Sequence, residues 1–210
     1  VASRSVDQIL DTGATAATVP ISVPADVTRA VLEDVQRTLS AGADEVLLGA
    51  LAIAVGAWRA KRGLGRQPAV VGLEGHGRQE TLIPGAELGR TIGWFTTWYP
   101  VTVDTGDIDP QAALMDSQAA ADAVLRVKES LAAVPDRGIG YGLLRHLNPD
   151  TTDRFDPHGI PDIGFNYLGH FMADSEPTAW RTAPESAGLG GYSPADLPVA
   201  AAIDINIAAV

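Results

Sequence analysis

The amino-acid sequence predicts an α/β fold, a two-layer sandwich of a mixed β-sheet and helices. Residues 69–73 form a short, continuous apolar run typical of an interior strand, and residues 163–167 predict another strand. Long segments with helical periodicity are interspersed with these strands. The 210 residues, 46% of them apolar, are enough to bury a sizeable core, as one large domain or two small ones.

The first third of the chain predicts one strand and two helices. Residues 18–23 have the pattern of a short strand, and Pro20 favours an edge position. Valines at helical spacing predict a helix over residues 25–37. A second helix is predicted over residues 45–61, with Asp44 as its N-cap. Because this second helix is apolar all round, it is predicted to be central and buried.

A further helix start is predicted at Asp109, an N-cap residue that precedes a proline at the first helical position. The helix is expected to continue to about residue 134. The apolar residues predicted to share one face of it are Leu114, Ala121, Leu125 and Ala132.

Four more segments complete the predicted architecture. Residues 91–103 are rich in β-branched and aromatic side chains, which favours a strand, and the alternation over residues 204–210 favours another. A glycine-rich turn over residues 136–141 is expected to lead into a short helix over residues 142–147. Residues 176–198 are rich in Gly, Pro and Ser and are predicted to form a long mobile loop.

Composition excludes several classes of function. A net charge of −11 argues against nucleic acid or an anionic membrane as a partner, because both need a positive footprint. With no cysteine, the chain has no disulfide, no thiolate zinc site and no Cys nucleophile. The longest apolar run, residues 46–58, is too short to span a membrane, and the amino end lacks a targeting pattern. These features predict a soluble, cytoplasmic protein.

Glu74 is the first candidate for chemistry, since it ends an apolar strand and is followed by Gly75 and Gly77. Burial there would raise the pKa of the carboxyl toward the working pH of a general acid or base. The alternative is a solvated glutamate in a turn. His76 is interpreted as making a structural hydrogen bond, because the glycines around it favour a turn.

Asn166 and Tyr167 are adjacent on a predicted strand, so their side chains point to opposite faces. One could reach a substrate while the other packs behind it. Residues 138–142 are rich in glycine but lack the spacing of a phosphate-binding loop, and they are interpreted as a helix-capping turn. The acidic residues 150–158 do not match an EF-hand, and the four histidines form no ligand pair, so no catalytic metal site is predicted.

Five short sequence motifs, taken together and in their order along the chain, form a pattern that is specific to one family. They are residues 74–78 (EGHGR), 89–96 (GRTIGWFT) with Tyr99-Pro100, 127–129 (VKE) with Pro135, 138–142 (GIGYG) and 165–169 (FNYLG). The set resembles the carboxyl-terminal half of an epimerization domain of nonribosomal peptide synthetases, and the resemblance covers the chain from about Thr18. The sister condensation domains have Val-Asn-Thr in place of Trp-Phe-Thr and lack the EGHGR motif.

The resemblance implies a fold similar to chloramphenicol acetyltransferase, in which two like-folded halves enclose an active-site tunnel. It implies a reaction in which the α-carbon of a carrier-bound aminoacyl or peptidyl thioester changes from L to D by two-sided proton transfer. By resemblance, Glu74 is one acid/base group and Asn166 and Tyr167 lie near the reacting centre. The substrate-binding residues implied are His76, Arg78, Trp94 and Thr96.

The resemblance also implies partners. These are a peptidyl carrier protein, whose phosphopantetheine arm delivers the substrate, the amino-terminal half of the domain, and neighbouring synthetase domains. No free cofactor and no metal is implied.

The family's second acid/base group, in a His-His-x-x-x-Asp motif, belongs to the amino-terminal half, and this chain contains no His-His pair. The chain also lacks an initial methionine and stops within a predicted strand. We therefore interpret it as a fragment that is inactive alone, with residues 1–15 as a linker or domain edge and residues 16–210 as a carboxyl-terminal subdomain.

Two other functions fit the sequence. One is a condensation or acyltransferase domain that forms an amide or ester bond, and the EGHGR and Trp-Phe-Thr motifs argue against it. The other is a non-catalytic module that docks a carrier protein or a neighbouring domain.

Overall fold

The structure confirms a mixed α/β fold. It is a computed structural model that describes residues 4–155, 161–170 and 195–209. The strands are β1 (Ala69–Gly75), β2 (Thr97–Val103), β3 (Ile163–His170) and β4 (Ile203–Ala209). They form one four-stranded sheet in the order β2-β1-β3-β4. β1 pairs with β2 in antiparallel orientation, whereas β3 runs parallel to both β1 and β4.

The described α-helices all precede β3 in the chain. They are α1 (Ala25–Arg29), α2 (Gln36–Leu39), α3 (Ala43–Lys61), α4 (Pro110–Ala113), α5 (Ser117–Ala132), α6 (Ile139–His146) and α7 (Pro149–Phe155). Of these, α3, α5 and α6 contact strand β2 of the sheet. A π-helical turn, Ala30–Val35, joins α1 to α2.

The core lies between the sheet and the helices α3 and α5. Leu48 of α3, Val127 of α5 and Phe165 of β3 are almost completely buried in one cluster. α3 approaches α5 so closely that a Cβ atom on Gly49 would lie 2.7 Å from a methyl carbon of Val124. The prediction that this apolar helix is central is therefore confirmed, but the helix is not buried all round, because Ala50 and Ala54 are exposed.

The start of α3 differs from the prediction, because Asp44 is not its N-cap. Gly42 is the N-cap, and its backbone N–H donates to the Glu45 carboxylate at 2.7 Å. A carboxylate in the first turn interacts favourably with the helix dipole. Glu45, rather than Asp44, therefore supplies the side chain that stabilises the start of the helix.

The predicted strand over residues 18–23 is wrong, since this segment has no regular secondary structure. Val19 and Ile21 are 79% and 83% exposed. Pro20 and Pro24 supply no N–H groups, and an alternating pattern forms a strand only where a partner strand is available. The helix predicted over residues 25–37 is observed, interrupted by the π-helical turn.

The single helix predicted over residues 110–134 is broken in two. The Asp116 carboxyl accepts hydrogen bonds from the N–H groups of Gln118 and Ala119, so it caps a second helix and ends the continuity with α4. The apolar residues predicted to share one face do not form the buried face, because Leu114 and Leu125 are exposed. The buried residues of α5 are Ala123, Val124 and Val127.

The observed bounds of some strands and of one helix differ from the predicted bounds. β2 begins at Thr97 rather than at residue 91, since its partner β1 ends at Gly75 and the two residues are paired in register. The carboxyl-terminal strand predicted from its alternation is confirmed as β4. The helix predicted over residues 142–147 begins earlier, at Ile139.

The amino-terminal segment is tied to residues near the other end of the chain. The N–H groups of Gly13 and Ala14 donate to the carbonyls of Leu197 and Ala195, both at 2.9 Å. Most of the loop predicted over residues 176–198 lies outside the described residues.

Within the described residues, no single helix has the length and apolar character needed to cross a membrane. The segments Ala25–Leu39 and Ala43–Lys61 meet that requirement only when taken together, and a bend of 101° separates them.

Candidate active site

The candidate site lies where the parallel strands β1 and β3 end. Along β1, Val71 and Leu73 face the helices and are buried, whereas Glu74 is exposed. Because side chains alternate along a strand, Glu74 points to the face of the sheet opposite the helices. The predicted position of Glu74, at the carboxyl end of an apolar strand with its side chain outside the core, agrees with the structure.

Asn166 brings an amide to the Glu74 carboxylate. Its Nδ2–H donates to Glu74 Oε2 at 2.8 Å, although the two residues are 92 positions apart in the chain. The contact arises from the parallel pairing of β1 with β3, which sets Leu73 opposite Phe165 and places the following residue of each strand on the same face. The amide holds the carboxylate in place and favours its ionised form.

A second carboxylate lies on the same face. Asp204 of β4 is paired with Gly164, and a Cβ atom on that glycine would lie 2.7 Å from Asp204 Oδ1. Desolvation raises the pKa of the Glu74 carboxyl above its ordinary value, and the negative charge of Asp204 raises it further. A carboxyl group in this environment can both accept and release a proton under mild conditions.

Glu74 also borders a cleft of about 240 Å³ at the end of the sheet. Tyr167 lines the same cleft from the helix side of β3, as expected from its alternation with Asn166. His76, Tyr99 and Arg137 contribute further polar groups to the cleft wall. The structure therefore brings together all three residues predicted to be catalytic, two in the cleft lining and Asn166 through its bond to Glu74.

His76 makes a local hydrogen bond, as the residues alone had indicated. Its Nδ1 accepts from the Arg78 backbone N–H at 3.0 Å. The Arg78 guanidinium donates to the Leu88 carbonyl and lies 4.3 Å from the centre of the Phe95 ring. Arg78 thus fastens the loop between β1 and β2, and its predicted contact with substrate stays a prediction.

Trp94 and Thr96 lie outside the cleft lining. Trp94 is 92% exposed on the loop that precedes β2, and Thr96 is exposed one residue before that strand begins. No hydrogen bond among the described residues links either side chain to Glu74. Their predicted part in substrate binding remains a prediction.

Sequence reasoning missed Tyr99 and Arg137 as cleft residues. Tyr99 stands in an apolar strand, where an aromatic side chain is expected to pack in the core. Arg137 lies in the turn before α6, where Asp136, Arg137 and Gly138 all have positive φ angles. Two consecutive non-glycine residues in this strained region beside a cleft are the kind of signal that marks functional sites, but only coordinates reveal it.

Two other glycine-rich or acidic motifs contribute no described residue to the cleft lining. Gly138 is the N-cap of α6, but Ile139–Gly142 already belong to that helix, so the interpretation of residues 138–142 as a capping turn holds only for Gly138. Asp150 and Asp153 lie on α7, and residues 156–160 are outside the described part of the chain. No group of three or more His, Cys, Asp or Glu side chains among the described residues could hold a metal ion.

Comparison with known proteins identifies one matching family and several related proteins. The family model for the condensation domain matches residues 4–194. The chain is 38% identical to a linear gramicidin synthase of Brevibacillus parabrevis over 201 residues, which is 94% of this chain. It is 36% identical to surfactin synthase subunit 2 of Bacillus subtilis (strain 168) over 167 residues, 79% of this chain. It spans only 2% and 4% of the lengths of these two relatives.

A solved structure is also similar to this chain. It is the epimerization domain from the third module of tyrocidine synthetase B, with a TM-score of 0.73 and 27% sequence identity. The match covers 99% of this chain and 43% of that chain.

Proposed function

Because the chain belongs to the condensation-domain family of nonribosomal peptide synthetases, we propose that it is part of an epimerization domain. The substrate of such a domain is an aminoacyl or peptidyl thioester on the phosphopantetheine arm of a carrier protein. The product has the opposite configuration at the α-carbon. The similarity to the tyrocidine synthetase domain supports this choice over amide-bond formation.

The observation that carries the proposal is the Glu74 carboxylate, held by Asn166 at the rim of a cleft. Epimerization removes the α-proton next to a thioester carbonyl, and that step needs a general base in direct reach of the α-carbon. Glu74 has a raised pKa and is open to the cleft, so it can take the proton as a carboxylate and return one as an acid.

A change of configuration needs a second acid/base group on the other face of the planar enolate. We assign that part to a histidine of the His-His-x-x-x-Asp motif in an amino-terminal half-domain. This chain would then supply one wall of the site and its partner half the other. The carrier protein would deliver the thioester between them.

The test is solvent deuterium exchange in the intact synthetase module. A carrier protein loaded with an L-aminoacyl thioester is incubated in D₂O, and the α-deuterium content and the D:L ratio are measured. Glu74→Gln should abolish exchange and leave carrier binding unchanged. Glu33→Gln, at an exposed position on the π-helical turn, is the matched control and should exchange like the wild type.

Two results would contradict the proposal. Exchange at the wild-type rate in the Glu74→Gln module would remove Glu74 from the chemistry. Amide-bond formation by a wild-type module that shows no α-exchange would identify a condensation domain instead.

A further inference from the structure

Tyr99 is a buried aromatic residue whose hydroxyl is free for a ligand. The residue is only 8% exposed, yet its hydroxyl makes no hydrogen bond with any described residue. No buried side-chain polar atom in the described part of the chain lacks a partner. The hydroxyl must therefore reach solvent, and the solvent space that Tyr99 lines is the cleft beside Glu74.

Two glycines fix the Tyr99 ring. A Cβ atom on Gly138 would lie 2.2 Å from Tyr99 Cγ, so the backbone of that residue rests directly on the face of the ring. A Cβ atom on Gly75 would lie 3.6 Å from Tyr99 Cε1, which places the residue after Glu74 at the edge of the ring. The ring is thus packed against the turn before α6 and lies beside the end of β1.

The surroundings keep this hydroxyl protonated. Burial raises the pKa of the Tyr99 phenol above its ordinary value, the charge of Asp44 raises it further, and the Arg137 guanidinium acts in the opposite direction. A protonated phenol is a hydrogen-bond donor. Glu74 and Tyr99 leave the end of the sheet on opposite faces, so a substrate in the cleft meets a base from one side and a donor from the other.

We propose that the Tyr99 hydroxyl donates a hydrogen bond to the carbonyl oxygen of the carrier-bound thioester. This inference rests on the proposed epimerization. When Glu74 takes the α-proton, the C–H electron pair forms the Cα=C bond and the carbonyl π pair moves to oxygen as an enolate. Tyr99 keeps its proton and binds that oxygen, and the π bond re-forms when a proton returns to the α-carbon. A fixed donor of this kind stabilises the enolate more than the ground-state carbonyl.

The experiment compares Tyr99→Phe with the wild type in the intact module, using the D₂O exchange assay over a range of loaded-carrier concentrations. Removal of one hydroxyl retains the packing of the ring, so the thermal midpoint should stay within a few degrees of the wild type. The kcat for exchange should fall on the order of 100-fold, with little change in KM. Tyr141→Phe is the matched control, since that hydroxyl bonds Arg145 at 2.7 Å outside the cleft lining, and exchange should be unaffected.

The outcomes separate this inference from the proposed function. If the wild-type module does not exchange, the proposed function fails, and this inference fails with it. If the wild type exchanges, Glu74→Gln does not, and Tyr99→Phe matches the wild type, then Tyr99 is not the donor. A rise in KM with no change in kcat would also overturn the assignment. It would show that the Tyr99 hydrogen bond stabilises the ground-state thioester as much as the enolate.

Discussion

Glu74 and Asp204 are carboxylates on one face of the sheet, and the charge of Asp204 makes ionisation of Glu74 harder. If Glu74 is the base, the exchange rate should rise with pH as its proton leaves, with a midpoint above the ordinary 4.5 of a glutamate. Asp204→Asn removes the Coulombic contribution and should shift this midpoint to lower pH. A pH–rate profile of the intact module measures the shift.

The control for this shift is Asp153→Asn, on the exposed surface of α7. It changes the net charge equally and should leave the midpoint in place. Equal shifts in the two variants would mean that overall charge, and not the neighbouring carboxylate, sets the pKa of Glu74.

Asn166 acts on the same group through one hydrogen bond. Asn166→Ala leaves Glu74 Oε2 without its amide donor, and hydrogen bonds to a charged group contribute about 1.5–3 kcal/mol. We expect the exchange rate to fall roughly 10- to 100-fold. Asn206→Ala is the comparison, since this amide is paired with Asn166 on β4 but bonds Asp204 at 3.0 Å. A loss in Asn206→Ala as large as in Asn166→Ala would contradict a specific part for Asn166.

At the scale of secondary-structure elements, the surroundings of two helical glycines predict that substitution by alanine lowers stability at one position and raises it at the other. Gly49→Ala would force a Cβ atom against Val124, which should lower the free energy of unfolding of the 210-residue chain by about 1–2 kcal/mol. Gly140→Ala on α6 meets nothing within 4 Å and should raise it by about 0.5–1 kcal/mol. Urea denaturation of both variants checks the signs. A rise in stability for Gly49→Ala would mean that the α3–α5 contact is not tightly packed, and a fall for Gly140→Ala would mean that Gly140 does not lie in open space.

The elements that can be predicted are those whose own residues show the apolar run or the alternation typical of the element. β1, β3 and β4 are evident in the sequence because apolar runs or alternation coincide with strands that have partners on the sheet. The strand prediction over residues 18–23 fails because pairing is a tertiary property that an alternating pattern does not contain. The break before α5 escapes prediction because Asp116 resembles an ordinary polar helix residue until its carboxyl is seen to cap the next helix.

The residues of the candidate site are likewise predictable only in part. Resemblance points to Glu74 and Asn166, and the parallel pairing of their strands brings them into contact. Tyr99 belongs to one of the motifs, but its position in the cleft could not be predicted, because an aromatic residue in an apolar strand is most often core. Its ring lies beside two glycines from distant parts of the chain, Gly75 and Gly138.

For the whole molecule, we expect the 210-residue chain to fold alone but not to epimerize. Its described residues bury a main core cluster between the sheet and the helices α3 and α5, whereas large apolar side chains stay exposed, among them Ile21, Ile92 and Trp94. Such surfaces favour association. A carrier loaded with an L-aminoacyl thioester, incubated with the chain alone, should give no D product, and addition of the amino-terminal half should restore it. Epimerization by the chain alone would overturn the assignment of the second acid/base group.

The strand order also determines when the site can form during synthesis. β1 and β2 are close in the chain and can pair once both have left the ribosome, but β3 follows much later and must bind the other edge of β1. At roughly 5–20 residues per second, that edge waits several seconds with its N–H and C=O groups unpaired. An exposed apolar edge of this kind invites pairing between nascent chains, and a charged side chain discourages it. Glu74 is the only charge on β1, so the residue that we assign to proton transfer would also protect the unfinished sheet from aggregation.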